Sequence, residues 1–176
     1  MYQMRPQFTW VCSDDAESVA DARRLFSEYQ QELGLDLSFQ GFDDELQSLP
    51  GAYGGTRGRL LLAVVGGEAI GCVGIRELDQ HTAELKRLYV RPSARGAGVG
   101  RHLIEHILAT ASELRFERLR LDTLPSMVAA RRLYESFGFR EIEPYTANPV
   151  RGASFLELAL APSRTDGAAR LSSRRR

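Results

Sequence analysis

The sequence predicts an α/β domain with a mixed, mainly antiparallel sheet flanked by helices, on three observations. Runs of four to ten residues rich in Val, Ile and Leu alternate with longer stretches whose apolar residues recur at helical spacing. Three of those runs follow one another through tight turns, as antiparallel neighbours do, without the helical crossover that parallel strands need. The 176-residue chain is 43% hydrophobic and 26% charged, which is ordinary globular usage, and a chain of that length buries roughly 70% of its unfolded surface in a single core.

In chain order, "FTWVCSDD" reads as an opening strand, after which Asp14 or Asp15 caps a helix carrying Val19, Ala22, Leu25, Phe26, Tyr29 and Leu33 on one face. "LDLSFQGFDDELQSLP" is irregular, with a short acidic helix from Asp43 to Leu49 between Gly41 and Pro50. "GRLLLAVVGGEAIGCVGI" is two strands joined at Gly66-Gly67, the glycine pair a two-residue hairpin prefers, and "TAELKRLYV" is a third after a turn near Asp79 to His81. Leu103, Ile104, Ile107, Leu108, Ala111 and Leu114 then mark a long amphipathic helix, and "RLRLDT" is a strand. Pro125-Ser126 lead into a helix bearing Ala130, Leu133, Tyr134 and Phe137, which Gly138 closes. "FREIEPY" and "ASFLELAL" are a last pair of strands around the loop "TANPVRG". A single domain is expected over 1–162, and the basic segment 163–176, which has no apolar periodicity, is expected to be disordered.

Composition bounds the function. Lys+Arg and Asp+Glu are 23 each, so no net field draws the molecule to nucleic acid or to an anionic membrane, and neither is expected as a partner. Lys86 is the only lysine, and Cys12 and Cys72 are too few for a disulfide framework or a metal site. "MYQMRPQFTW" lacks a charged start followed by an apolar run, and nothing approaches a membrane span, so a cytoplasmic protein is expected.

The segment "RLYVRPSARGAGVGRHLI", residues 87–104, concentrates the chemistry. It is no nucleotide triphosphate loop, since the required lysine is missing, and Arg101 stands where a dinucleotide fingerprint needs its third glycine. A plain turn has no use for Gly96, Gly98 and Gly100 at every second position, because each glycine costs conformational entropy on folding. The remaining reading is an anion cradle, in which backbone N–H groups at a helix N-terminus close on an extended diphosphate and Arg95 adds charge-assisted hydrogen bonds.

That segment resembles the acetyl-CoA-binding motif of the GNAT superfamily of N-acetyltransferases, Arg/Gln-x-x-Gly-x-Gly/Ala, with Arg95, Gly98 and Gly100 matching after a typical Leu-Tyr-Val-x-Pro. "ARRLYESFGF" is similar to the second landmark of that family, with Ala130, Leu133, Tyr134, Gly138 and Phe139 matching. One residue departs: Met127 stands where many members have an asparagine. The resemblance covers roughly Phe8 to Leu160 and implies a GNAT fold, its sheet splayed between "LYV" and "RLRLDT" to admit the cofactor.

It also implies roles. The turn from Arg95 through Gly96, Ala97, Gly98, Val99 and Gly100 to Arg101 would hold the pyrophosphate of acetyl-CoA, while the backbone of Leu88, Tyr89 and Val90 pairs with the pantetheine arm like an added strand and an N–H near Tyr89 faces the thioester oxygen. Tyr134 would be the acid that protonates the leaving thiolate, although Leu133, Tyr134 and Phe137 also read as a plain apolar stripe. Glu84 stands where members that use a glutamate base place it, and reads equally as an exposed strand carboxylate paired with Lys86 or Arg87. His81, His102 and His106 read as surface residues, and no metal is expected.

The acceptor site is expected in the irregular segments "LSFQGFDDELQ" and "PYTANPVRG", with Asp43, Asp44 and Glu45 able to attract a cationic amine. The expected reaction is acetylation of a primary amine on a small molecule or amino acid, with protein lysines or N-termini as the nearer alternative and a non-catalytic acyl-CoA sensor as the further one. A homodimer is left open.

Overall fold

The computed structural model describes residues 5–161, and the basic segment 163–176 lies outside the described residues. Seven strands form one sheet in the order β1-β2-β3-β4-β5-β7-β6. They are β1 Gln7–Trp10, β2 Arg59–Val65, β3 Glu68–Glu77, β4 Thr82–Val90, β5 Arg118–Thr123, β6 Arg140–Ile142 and β7 Ser154–Ala159. The helices are α1 Ala16–Leu33, α2 Phe42–Ser48, α3 Val99–Glu113 and α4 Val128–Ser136. Every neighbouring pair is antiparallel except β4 with β5, which is parallel.

Local chemistry sets the boundaries. Of the two candidate caps for α1 it is Asp15 that serves, its carboxylate accepting from the N–H groups of Glu17 and Ser18. Gly34, at φ 62°, ends the same helix in the left-handed conformation glycine adopts without cost. The β2–β3 hairpin turns at Gly66-Gly67, both at positive φ. The strand expected over "FREIEPY" is shorter, only Arg140–Ile142, because Pro144 lacks the N–H a longer ladder needs.

Strand alternation divides the core in two. Leu61, Ala63, Val73, Ile75, Ala83 and Leu85 face α3 and α4, where Leu103, Ile104, Ile107 and Tyr134 complete one cluster. Leu60, Leu62, Ala69, Cys72 and Tyr89 face α1 and α2, against Leu25, Phe26 and Phe42.

One irregularity matters most. Between the pairs Cys72–Tyr89 and Gly74–Lys86, β3 advances two residues and β4 three, so β4 carries a bulge. Arg87 lies inside it at φ 59°, a left-handed conformation that a residue with a Cβ rarely takes. The bulge turns the Arg87 side chain onto the α2 face, where its guanidinium donates to both Glu45 oxygens at 2.9 and 2.6 Å and to Gln40 at 2.9 Å and lies over the Phe42 ring.

Burial pushes the Glu45 carboxyl up, but the hydrogen bonds and charge of Arg87, with the Tyr53 hydroxyl at 2.7 Å, outweigh it and hold Glu45 below its ordinary value. A carboxylate whose folded-state pKa is depressed stabilises the fold fully above its unfolded value, about 4.3, and loses that contribution as pH falls through the depressed one. Glu45→Gln, which leaves a buried guanidinium uncompensated, should therefore lower stability by about 3 kcal/mol at pH 7. The gap from wild type should narrow below pH 4, as followed by denaturant unfolding across pH; a gap independent of pH would show that the ion pair is not its source.

Candidate functional site

β4 and β5 pair over only three residues each, Thr82–Glu84 with Arg118–Arg120. Beyond Glu84 the two strands part, and the opening is a cleft of about 460 Å³ including its mouth. The far edge of β4, through Leu88, Tyr89 and Val90, still pairs with β3 at Tyr89 and Val90, while its near edge has no strand partner. Leu85 to Leu88 of β4 form one wall, and Asp122, Leu124, Met127 and Tyr134 form the opposite one. Tyr29 and Leu33 of α1, with Leu37, Phe39 and Gln40 after it, close the third side.

The glycine turn stands at the end of β4, and its three glycines do different work. Gly96 and Gly98 both lie at φ 80°, which the chain reversal into α3 requires; the space beside Gly96 is open, and a Cβ at Gly98 would touch the His102 ring at 3.7 Å. Gly100 has ordinary helical geometry, but a Cβ there would approach Leu133 to 3.3 Å and Val90 to 3.8 Å, so its bareness seats α3 against α4 and the end of β4. Gly98 is the N-cap of α3 and supplies no side chain to it, so the first N–H groups of the helix are not capped from within. Val99 buries its side chain in the core, and Ala97 is exposed beside the two left-handed glycines. The turn is thus a concave backbone surface at the positive end of a 15-residue helix, with the shape and polarity an anion needs.

The two arginines of the turn have partners. Arg95 donates to the Val90 carbonyl at 2.8 Å and to both oxygens of Glu32 at 2.8 and 2.6 Å, with both side chains of that pair 45% exposed. Arg101 reaches Ser136 at 3.2 Å and lies over the Phe137 ring.

Tyr134, from α4, lines the cleft with its ring against Phe139 at 5.6 Å between centroids. Burial raises its pKa well above the ordinary phenol value, and the nearby Tyr29 and Asp122 add to the shift, so at neutral pH it holds its proton. Burial likewise pushes Tyr29 up, to about 12.

Glu84 is not an exposed strand carboxylate. It is 1% exposed and accepts from Arg76 at 2.8 and 2.7 Å and from the Tyr145 hydroxyl at 2.8 Å, with the Lys86 ammonium at 3.8 Å. Arg87, the other partner expected for it, belongs to Glu45. Glu84 is absent from the cleft lining; the carboxylate that does line it is Asp122.

Asp122 is the feature that the sequence reading missed. Its carboxylate accepts from Lys86 at 3.0 Å, from Gln40 at 3.2 Å and from Asn148 at 2.8 Å. Those donors come from β4 and from each of the two irregular segments, so one side chain ties both loops to the sheet. Burial raises the Asp122 pKa, but the charge and hydrogen bond of Lys86 and the Asn148 amide prevail and hold it below the ordinary value. The available signal was opposite charge on two strands, Asp122 in "RLRLDT" and Lys86 in "ELKRLYV", each of which calls for a partner if the sheet buries it.

Glu45 is likewise spent on Arg87 and Tyr53, so of the acidic run only Asp43 and Asp44 remain exposed. Met127 precedes α4 without capping it and lines the cleft. The histidines rest on the scaffold: His102 and His106 pack on Phe8, and His81 contacts Glu117 at 2.9 Å. Among the described residues, no group of three or more His, Cys, Asp or Glu side chains is placed to hold a metal ion, and no helix is long and apolar enough to cross a membrane.

An uncharacterized N-acetyltransferase of Schizosaccharomyces pombe is 39% identical over 147 residues, covering 82% of this chain and 90% of its own. The crystal structure of an acetyltransferase from Streptococcus agalactiae superposes with a TM-score of 0.75 at 23% identity, over 90% of this chain and 100% of that one. A Salmonella typhimurium acetyltransferase structure, described with its cofactor acetyl-CoA, superposes with a TM-score of 0.66 at 18% identity, over 93% and 99% of the two chains. The Acetyltransferase (GNAT) family model matches residues 19–139, and with that span and the 39% identity the chain belongs to the acetyltransferase (GNAT) family.

Proposed function

We propose that this protein transfers an acetyl group from acetyl-CoA to the primary amine of a small molecule. The observation that carries the reading is the convergence on one cleft of three things: the unpaired edge of β4, the glycine turn at its end and a protonated Tyr134 on the facing wall.

The chain's own groups fit the donor. Leu88, Tyr89 and Val90 offer strand edge to the amides of a pantetheine arm, and the concave turn from Gly96 to Gly100 offers N–H groups to its pyrophosphate. Arg95 is half exposed, so it can turn from Glu32 to a phosphate at little cost. When bound, acetyl-CoA supplies an activated acyl thioester. A backbone N–H near Tyr89 would then polarise the acyl carbonyl, and Tyr134 would deliver its phenolic proton to the leaving sulfur, a group that ordinarily titrates near 8.5. Glu84, held by Arg76 and Tyr145 behind Lys86, does not line the cleft, so as the base it would take the proton of the Tyr145 hydroxyl while that oxygen takes the amine proton.

Four variants at three positions test this. Gly98→Asp should abolish acetyl-CoA binding in calorimetry, because it puts a side chain and a like charge where the pyrophosphate would sit. Gly98→Asn, uncharged and tolerant of that backbone, should retain part of it. Equal affinity in wild type and Gly98→Asp would remove the cradle.

Tyr134→Phe keeps the ring packed on Phe139 and should lower kcat by about 10²-fold or more with acetyl-CoA affinity unchanged, since the lost proton acts only in the transition state. Turnover like wild type would make Tyr134 a core residue.

Glu84→Gln should be most defective at low pH, where the amine is most fully protonated, and should recover as pH approaches the amine's own pKa. A defect of one size at every pH would assign Glu84 to the scaffold.

A further inference from the structure

Three charged side chains line the cleft, Lys86, Arg87 and Asp122, and each is already neutralised inside the protein. Lys86 and Asp122 are 3.0 Å apart with side chains 6% and 8% exposed. Arg87 is spent on both oxygens of Glu45, at 2% and 10% exposure. The amides that could serve a polar ligand are used as well: Gln40 spans Arg87 and Asp122, and Asn148 donates to Asp122.

A carboxylate on the acceptor would therefore have to take Lys86 from Asp122 or Arg87 from Glu45. Either exchange leaves a buried carboxylate without its counter-ion, the arrangement that is most strongly disfavoured in a protein interior. The wall contributed by α1 and the segment after it offers Tyr29, Leu33, Leu37 and Phe39, with Leu124 and Met127 opposite. Phe39 stands 39% exposed, an apolar ring that an apolar ligand would cover.

We infer that the acceptor is a primary amine on an uncharged, apolar body, aliphatic or aromatic, seated against Leu33, Leu37 and Phe39, and that amines bearing an adjacent carboxylate are rejected. The inference rests on the acetyl-transfer reading and narrows it. It also sets aside amino acids as acceptors, because among the described residues their α-carboxylate finds no unpaired cation lining the cleft.

The test compares acceptors that differ in one group. Phenethylamine and phenylalanine share a body and differ by the carboxylate, and hexylamine and aspartate extend the comparison; each is offered with acetyl-CoA while free thiol is followed and hydrolysis without amine is subtracted. The expected result is a kcat/KM at least about 10²-fold higher for phenethylamine than for phenylalanine, with aspartate at background. Phe39→Ala should raise KM for phenethylamine by about tenfold, the scale of lost apolar contact, and leave the calorimetric affinity for acetyl-CoA unchanged. Phenylalanine or aspartate matching the parent amine would overturn the inference while leaving acetyl transfer standing. Thiol release with none of the four, from protein that binds acetyl-CoA, would overturn both.

Discussion

Arg87 occupies a left-handed backbone conformation that costs a side-chain-bearing residue on the order of 1–3 kcal/mol, and the ion pair with Glu45 and the bond to Gln40 are what hold it there. Because Arg87 is the extra residue in β4, the strand turns its following residues away from the direction set by Thr82–Glu84, where pairing with β5 ends. The cleft, the free edge of Leu88 to Val90 and the position of the glycine turn all follow from that redirection. Gln40, which accepts from Arg87, lies in the segment that also brings Leu37 and Phe39 to the cleft, so one contact ties the bulge to that wall.

Around this bulge Lys86 and Arg87 are buried against Asp122 and Glu45, and a half-buried Arg76 covers Glu84, as many cations as carboxylates. Apolar replacements would fold at least as well at such positions, since the desolvation of an ion pair consumes much of its attraction. What charged groups add is direction. Asp122 accepts from β4, from Gln40 and from Asn148 at once, and Glu84 accepts from β3 through Arg76 and from the β6–β7 loop through Tyr145. The segment of Gln40 and the loop of Tyr145 and Asn148 are thereby tied to the strands that border the cleft.

The scaffold was legible because its signals are local. Gly66-Gly67 gave the hairpin, Gly138 at φ 94° the end of α4, and the spacing from Leu103 to Ala111 the buried face of α3. The glycine turn was found from its spacing and Tyr134 from the resemblance; Tyr134 lines the cleft, and the turn follows the end of β4. Glu84 was half legible: the carboxylate was singled out, but its partners Arg76 and Tyr145 are 8 and 61 residues away, and no short-range pattern joins them. That Lys86 and Arg87 share one cleft was unreadable for a different reason. Strict strand alternation assigns consecutive residues to opposite faces, whereas the bulge brings both into the same cleft lining.

Exposure then sorts the cations by what they can do. Arg95, 45% exposed and paired with an equally exposed Glu32, is held by an interaction worth little in water, so an arriving anion can take it at small cost. Arg87 and Lys86, at 2% and 6%, cannot change partners without stranding a buried carboxylate. Among the described residues, the cation free to change partners thus stands at the helix mouth at the end of β4, and the charges of the cleft beyond it are paired with one another or with Glu45. A molecule with phosphates at one end and an uncharged acyl arm at the other matches that order of surfaces, and so does an acceptor that brings no second charge into the cleft.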